Sequence, residues 1–347
     1  MVERILLLVS ERGPMILGNH LLYTNALLRR GAKVSIGDIN SVHAPQYLVT
    51  VNAAAISKPL SPGDRLDSHA SMPVPVTDFD LVWIMSAPHP ALATDIYQLL
   101  WTAGTTTPFV NTVEALLLLN NKNVLGALAS SANLIPTNID SRYHELWNAF
   151  DASDHDWVAK PSNFGAGGDV FLVRKGDSNA RALLQSATGN TQVHAAMMES
   201  SLLGLKRRFC ILQRFEPSVQ KSEKRVLIAG GEPFTQYSKV AAPGDHRANL
   251  VNGGKAVICE LSPDERKLCT DLGRTLARHG VRFAGVDMVY PYILEVNIMN
   301  PAGTRSILEI SGKDISDRGL HLIFGFFGNQ TAQAPQRDPP VRSEAVH

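Results

Sequence analysis

At 347 residues the chain is longer than one hydrophobic core usually supports, which implies two or three domains. Its 44% apolar and 19% charged content is that of a globular protein, and a net charge of +1 excludes the strongly basic face that nucleic acid requires. No run approaches the roughly 18 consecutive apolar residues of a membrane span, so neither nucleic acid nor membrane is an expected partner. Cys210, Cys259 and Cys269 lack metal-ligand spacing and cannot all pair, which points to a reduced, cytoplasmic setting.

In chain order, residues 5–9 read as a buried strand, too short for a signal-peptide core. A helix over 17–30 stops at Gly31, and strands follow at 32–36 and 80–85. A helix over 91–103 and a short strand at 108–110 complete a strand–helix alternation, the signature of a parallel, helix-covered sheet. Ligands gather at the C-terminal ends of such strands, which places residues 10–14 and 86–90 near a site. Residues 41–77, rich in Pro, Ser and Asp, read as a long irregular excursion, and 111–132 as helical.

A strand at 156–160 runs into Pro161-Ser162-Asn163-Phe164-Gly165-Ala166-Gly167-Gly168, and strand character resumes at 169–173. Strand, glycine-rich turn and strand make a hairpin flap, unlike the strand–turn–helix of nucleotide-binding loops. Further strands are expected at 209–215, 224–229 and 233–239. Ser262, Pro263 and Glu265 mark a helix start at N-cap, N1 and N3, and that helix ends at Gly280. From Gln330 onward the composition is that of a disordered tail.

Chemistry concentrates in Gly285-Val286-Asp287-Met288 and Leu294-Glu295-Val296-Asn297. Side chains alternate along a strand, so Glu295 and Asn297 face the same way, and Asp287 precedes them by one hairpin turning at 290–292. Two carboxylates and an amide oxygen are hard ligands suited to Mg²⁺ that also holds phosphates. A surface hairpin with a wet polar face is the alternative, but the flanking residues are nearly all apolar. Gly165, Gly167 and Gly168 let backbone N–H groups approach phosphate oxygens, though alone they also describe a flexible hairpin. Lys160 ends the strand entering that loop, and Arg225 and Arg247 carry planar forks suited to phosphate and oxyanions. Each of the three alone also reads as a surface cation.

Taken in order, these pieces resemble the bacterial glutathione synthetases, which are ATP-grasp ligases. The resemblance covers residues 157 to about 310, through Lys160 with Gly165–168, Lys224-Arg225-Val226-Leu227, Gly230-Gly231-Glu232-Pro233, Arg247-Ala248-Asn249-Leu250, Phe283-Ala284-Gly285-Val286-Asp287 and Glu295-Val296-Asn297. The N-terminal third matches in layout, including Asn121-Lys122. The family implies an α/β fold, with an N-terminal doubly wound parallel-sheet domain followed by a two-part ATP-grasp α+β domain. On this sequence that means a substrate domain at 1–111, a linker and lid at 112–215, a catalytic subdomain at 216–328 and a tail at 329–347.

Carried over by position, Lys122 and Lys160 contact ATP phosphates, Gly165, Gly167 and Gly168 close over the γ-phosphate, and Gln213, Arg214 and Phe215 border the adenine. Arg225, Arg247 and Asn249 serve catalysis, and Asp287, Glu295 and Asn297 hold two Mg²⁺ ions, with Mn²⁺ as a substitute. The activity implied is joining a small carboxylate to an amine, amino acid or dipeptide, through an acyl phosphate; a homo-oligomer is also implied. On this basis Asp287→Asn and Glu295→Gln are both expected to fold and to lose turnover.

The chain departs from the family where substrate specificity is set. The family's Arg-Lys-Asp-Pro-Pro type stretch reads Met85-Ser86-Ala87-Pro88-His89-Pro90 here, without its cations. The Ser-Pro-Thr type loop reads Asn300-Pro301-Ala302-Gly303-Thr304-Arg305. Residues 198–208, with Lys206, Arg207 and Arg208, look inserted. Altered substrates follow, with Ser86, His89, Asn300, Gly303, Thr304 and Arg305 as candidate contacts, Thr304 and Arg305 for a carboxylate. A ligase acting on a peptide or protein tail and a non-catalytic ATP-binding module are the competing readings.

Overall fold

The computed structural model describes residues 2–10, 15–65, 71–162, 169–189, 208–242, 250 and 253–330. Among these residues the fold is mixed α/β, with three sheets in chain order. The first has the order β4-β3-β2-β1-β5-β6, formed by β1 (Arg4–Val9), β2 (Lys33–Asp38), β3 (Thr50–Ile56), β4 (Met72–Pro75), β5 (Leu81–Ile84) and β6 (Phe109–Val110). The β2-β1-β5-β6 portion is parallel. Its central strand is buried on both faces, Ile5 through Leu8 being wholly inaccessible, which is why the run reads as continuously apolar.

The excursion expected over 41–77 is corrected by β3 and β4, which add to the sheet in antiparallel fashion. β3 contains three alanines and β4 two prolines, so neither shows local strand propensity. Pairing of β3 against β2, and of β4 against β3, decides their state, and the prolines suit an edge strand.

The second sheet, β7-β10-β8-β9, joins β7 (Thr137–Asp140), β8 (Trp157–Pro161), β9 (Phe171–Val173) and β10 (Cys210–Arg214), all antiparallel. Leu146, Phe150, Trp157, Leu184 and Leu212 bind it to the helices Tyr143–Asp151 and Ala180–Thr188. The third sheet, β13-β12-β11-β14-β15, contains β11 (Lys224–Ala229), β12 (Glu232–Val240), β13 (Lys255–Val257), β14 (Phe283–Val289) and β15 (Tyr292–Asn297). The helix Pro263–Arg278 begins with a complete capping box between Ser262 and Glu265 and covers one face of this sheet through Cys269, Leu272 and Leu276.

The helical stretch expected over 111–132 is broken into Val113–Leu119 and Leu125–Leu128. Between them the Asn121 side chain accepts from the Asn123 N–H at 2.9 Å, a local bond that competes with helix continuation. That interruption turns Lys122 toward the third sheet.

Asn111 rivets the first and third sheets. Its Nδ2 donates to the carbonyls of Phe283 (2.7 Å) and Ile298 (2.6 Å), and its Oδ1 accepts from the N–H groups of Arg282 and Phe283. Its backbone is left-handed, with φ +44°, a conformation that asparagine tolerates. Asn111→Ala leaves four buried polar groups unsatisfied and is expected to cost on the order of 3–5 kcal/mol in urea unfolding. A loss below about 1 kcal/mol in that measurement contradicts the rivet.

Tyr23, Trp83 and Phe283 close the same junction as an aromatic trio with centroids 4.9 to 5.7 Å apart. Cys210, Cys259 and Cys269 are free thiols. Among the described residues no helix is long and apolar enough to cross a membrane.

Candidate active site

Register assembles the site. Tyr237, Arg225, Asp287 and Glu295 are successive Cα partners across β12, β11, β14 and β15, so their side chains share one face of the third sheet. The period of two adds Glu223 and Lys239 beside that row, and Asn297 next to Glu295. The opposite face, with Val226, Ile228, Val286 and Met288, is core. One face of a single sheet therefore collects the charges, and the other holds the fold.

Asp287 is the hub. Its Oδ1 accepts from Arg225 Nε and Lys239 Nζ, both at 2.6 Å, and its Oδ2 accepts from Arg225 Nη2 at 2.8 Å. Burial opposes ionisation, but the Arg225 and Lys239 charges outweigh it and lower the carboxyl to about 2. Lys239 also donates to Glu223 at 2.6 Å. Arg225 Nη1 reaches the Ala302 carbonyl at 3.0 Å, tying the loop after β15 to the hub. A Cβ at Gly285 would lie 2.7 Å from Pro301 Cβ and 3.0 Å from Arg225 Nη1, so a glycine lets loop and guanidinium lie flat on the sheet.

Across from this face stand two lysines. Lys122 Nζ is 3.1 Å from Glu295 Oε1. Lys160, on β8, donates to Gln213 Oε1 at 3.0 Å, and Gln213 Nε2 donates to Thr137 Oγ1 at 3.1 Å. Burial lowers the Lys160 pKa, Glu295 works against that, and Lys122 adds to it. Lys122, Lys160 and Gln213 line a cavity of about 380 Å³ whose other walls include Leu125, Leu134, Ile135, Ile211 and Leu294. An apolar slot with cations at one end suits a flat heterocycle followed by phosphates. Around that end three carboxylates, Glu223, Asp287 and Glu295, face four cations, Lys122, Lys160, Arg225 and Lys239, an excess of positive charge that favours a polyanion.

Glu223 and Lys239 escaped the sequence reading, although they repeat the phase of Arg225 and Tyr237 along their strands. Burial pushes the Glu223 carboxyl up to about 7, because Asp287 shares the Lys239 charge that would otherwise hold it down. A carboxyl raised above its ordinary 4.5 contributes stability that is present below that value and lost as pH rises through about 7. Glu223→Gln should therefore gain stability relative to wild type between about pH 4.5 and about pH 7, measured by urea unfolding across that range. A pH-independent difference rules this out.

Other sequence candidates lie as follows. Arg214 and Phe215 continue β10, their N–H groups donating to Pro136 and Asp156 carbonyls, and do not line the cavity. Gly165, Gly167, Gly168, Arg247 and Asn249 lie outside the described residues, as do Lys206, Arg207 and 331–347 of the tail. Ser86 and Asn300 come together around His20. His89 is exposed, its N–H bonded to Asn40 Oδ1. Thr304 is fully buried with its hydroxyl on Tyr23, Gly303 packs on Leu227, and Arg305 pairs with Glu309 at 2.6 Å along its own helix. Among the described residues no three His, Cys, Asp or Glu side chains form a ready metal cluster; the candidate centre is two carboxylates and an amide.

The family model for the prokaryotic glutathione synthetase ATP-grasp domain matches residues 125–312. The chain is similar to glutathione synthetase of Prochlorococcus marinus subsp. pastoris, 29% identical over 254 residues, covering 72% of this chain and 76% of that one. It is also 29% identical over 279 residues to glutathione synthetase of Prochlorococcus marinus strain MIT 9313, covering 79% and 84%. Among solved structures, a D-cycloserine synthetase superposes with a TM-score of 0.59 at 16% identity, covering 92% of this chain and 98% of that one. D-alanyl-alanine synthetase A of Vibrio cholerae gives 0.56 at 14%, covering 94% and 99%. These last two likenesses concern the fold. With the family match spanning more than half its length, the chain belongs to the prokaryotic glutathione synthetase family of ATP-grasp ligases.

Proposed function

We propose that this protein is an ATP-dependent ligase that activates a small carboxylate as an acyl phosphate and joins it to an amine. A carboxylate is a poor electrophile because oxide is its leaving group. Phosphorylation by ATP, with release of ADP, replaces oxide by phosphate; attack by the amine then forms the C–N bond and expels phosphate. The observation that carries this reading is the row Arg225–Asp287–Glu295 on one sheet face beside a cavity rimmed by Lys122 and Lys160.

Each residue has a derivable part. The apolar walls hold the base, and Lys122 and Lys160 take the phosphate charge at the cavity's end. Arg225, fixed by Asp287 and the Ala302 carbonyl, presents a rigid guanidinium to the transferred phosphoryl group and to the developing oxyanion. Lys239 supports it from the neighbouring strand. The hard oxygens of Asp287, Glu295 and Asn297 fit Mg²⁺, with Mn²⁺ as a substitute and two ions as the expected complement. Magnesium held by these oxygens would supply positive charge to offset that of the phosphates.

The substrates are amino acids or dipeptides. The Met85-Ser86-Ala87-Pro88-His89-Pro90 stretch, which has no Lys, Arg or Asp, and the engagement of Arg305 by Glu309 support a pair other than γ-glutamylcysteine and glycine. The test is ADP release with a panel of amino acids and dipeptides in the presence of Mg²⁺-ATP. A rate with γ-glutamylcysteine plus glycine far above all others rules out altered substrates. Absence of substrate-dependent ADP release with every pair rules out the ligase.

A further inference from the structure

The second sheet forms one wall of the cavity, and that wall has its own hydrogen-bond order. Thr137 on β7 and Gln213 on β10 are direct cross-strand partners, as are Ile139 and Ile211 two residues along. Lys160 on β8 is the partner of Ile211 and so lies diagonal to Gln213. Register and the period of two put all five side chains on one face, and all five line the cavity. Between two isoleucines, the buried Gln213 amide bridges a hydroxyl and an ammonium group.

The direction of each bond can be assigned from both ends of this chain. The Thr137 hydroxyl donates to the Ile135 carbonyl at 2.7 Å, and a backbone carbonyl only accepts, so the one hydroxyl proton is used. Toward Gln213, 3.1 Å away, Thr137 Oγ1 can then only accept, which turns Nε2 to β7. At the other end the Lys160 ammonium group only donates, and it meets Oε1 at 3.0 Å. Both ends demand the same amide orientation.

These bonds use one N–H of Nε2 and one lone pair of Oε1. A second N–H and a second lone pair stand side by side on the edge of the amide. In that order they match an exocyclic amine beside a ring nitrogen, the pairing by which glutamine reads adenine. A 6-oxopurine brings a carbonyl to the place of the amine, and two acceptors then face each other. When Lys160 turns to phosphate, Thr137 is the anchor that still holds the amide this way round.

We propose that Thr137 is a positioning residue for base selectivity: through Gln213 it keeps an acceptor turned to the nucleotide, so that a 6-aminopurine is taken and a 6-oxopurine refused. The proposal rests on the nucleotide binding contained in the ligase reading above.

The test is calorimetric titration of the full chain with Mg²⁺-ATP and Mg²⁺-ITP, which carry an amine and a carbonyl at the same purine carbon. Thr137→Val keeps the β-branched shape suited to an edge strand and removes the hydroxyl; Thr137→Ser restores it. Wild type should bind ATP at least about tenfold more tightly than ITP, the scale of one polar group left unpaired. In Thr137→Val that ratio should fall about fivefold or more, and in Thr137→Ser it should stay near wild type. Equal loss of affinity for both nucleotides in Thr137→Val, or an unchanged ratio, overturns the assignment and leaves the ligase intact. Wild type that binds the two nucleotides equally has the same consequence. A collapsed ratio in a protein without substrate-dependent ADP release upholds the role of Thr137 and removes the ligase. Binding of neither nucleotide removes both.

Discussion

Asp287→Asn should lose turnover and stability together. The carboxylate is almost wholly buried, and both oxygens are taken by Arg225 and Lys239 at 2.6 to 2.8 Å. An asparagine of the same shape turns an N–H toward a guanidinium and leaves two buried cations with half their compensation. Breaking such a pair from one side costs about 3–5 kcal/mol. Turnover should fall about 10²–10³-fold, since a metal ligand and the anchor of Arg225 vanish at once. The pH dependence has a definite sign. A carboxyl lowered to about 2 from its ordinary 3.8 adds stability above 3.8 that is lost as pH falls toward 2. The variant should lack that acid limb. Urea unfolding of both proteins decides the matter, and wild-type stability in Asp287→Asn refutes the hub. The expectation from sequence, that this variant folds unimpaired, is thereby replaced: alternation along β14 does not reveal that two cations converge on it.

Glu295→Gln should separate the two effects. Its side chain is a quarter exposed and pairs with Lys122 at 3.1 Å. A pair that open to solvent contributes at most about 1 kcal/mol, so the variant should melt within a few degrees of wild type. Activity should nevertheless drop about 10²-fold or more, and the Mg²⁺ concentration for half-maximal rate should rise, because a neutral amide replaces a charged oxygen ligand. Titrating ADP release against Mg²⁺ alongside a thermal melt reads both quantities. Equal destabilisation of the Glu295 and Asp287 variants would show that the carboxylates share one structural task.

Much of this was legible in the chain because it depends on local period. Alternation placed Glu295 and Asn297 on one face, the Ser262–Glu265 box set the start of its helix, and the order of motifs identified the family. Elements whose state depends on a distant partner were not legible. β3 becomes a strand by pairing with β2 and β4 by pairing with β3, and β7 has no buried alternation to announce it. Lys239 and Glu223 are ordinary charged residues until three strands align.

Residue types and periodicity by themselves determined that two carboxylates and an amide lie on adjacent strands, because that property is written in intervals of two residues, while the ATP-grasp architecture followed from the resemblance of the ordered motifs to a known family. Only the tertiary structure decided which charges meet: Asp287 with Arg225 and Lys239, Glu295 with Lys122, His20 with Met85 and Asn300, Arg305 with Glu309. The physical reason is that ion pairing and hydrogen bonding act over about 3 Å, a distance that sequence separations of 62, 48 and 280 residues do not encode.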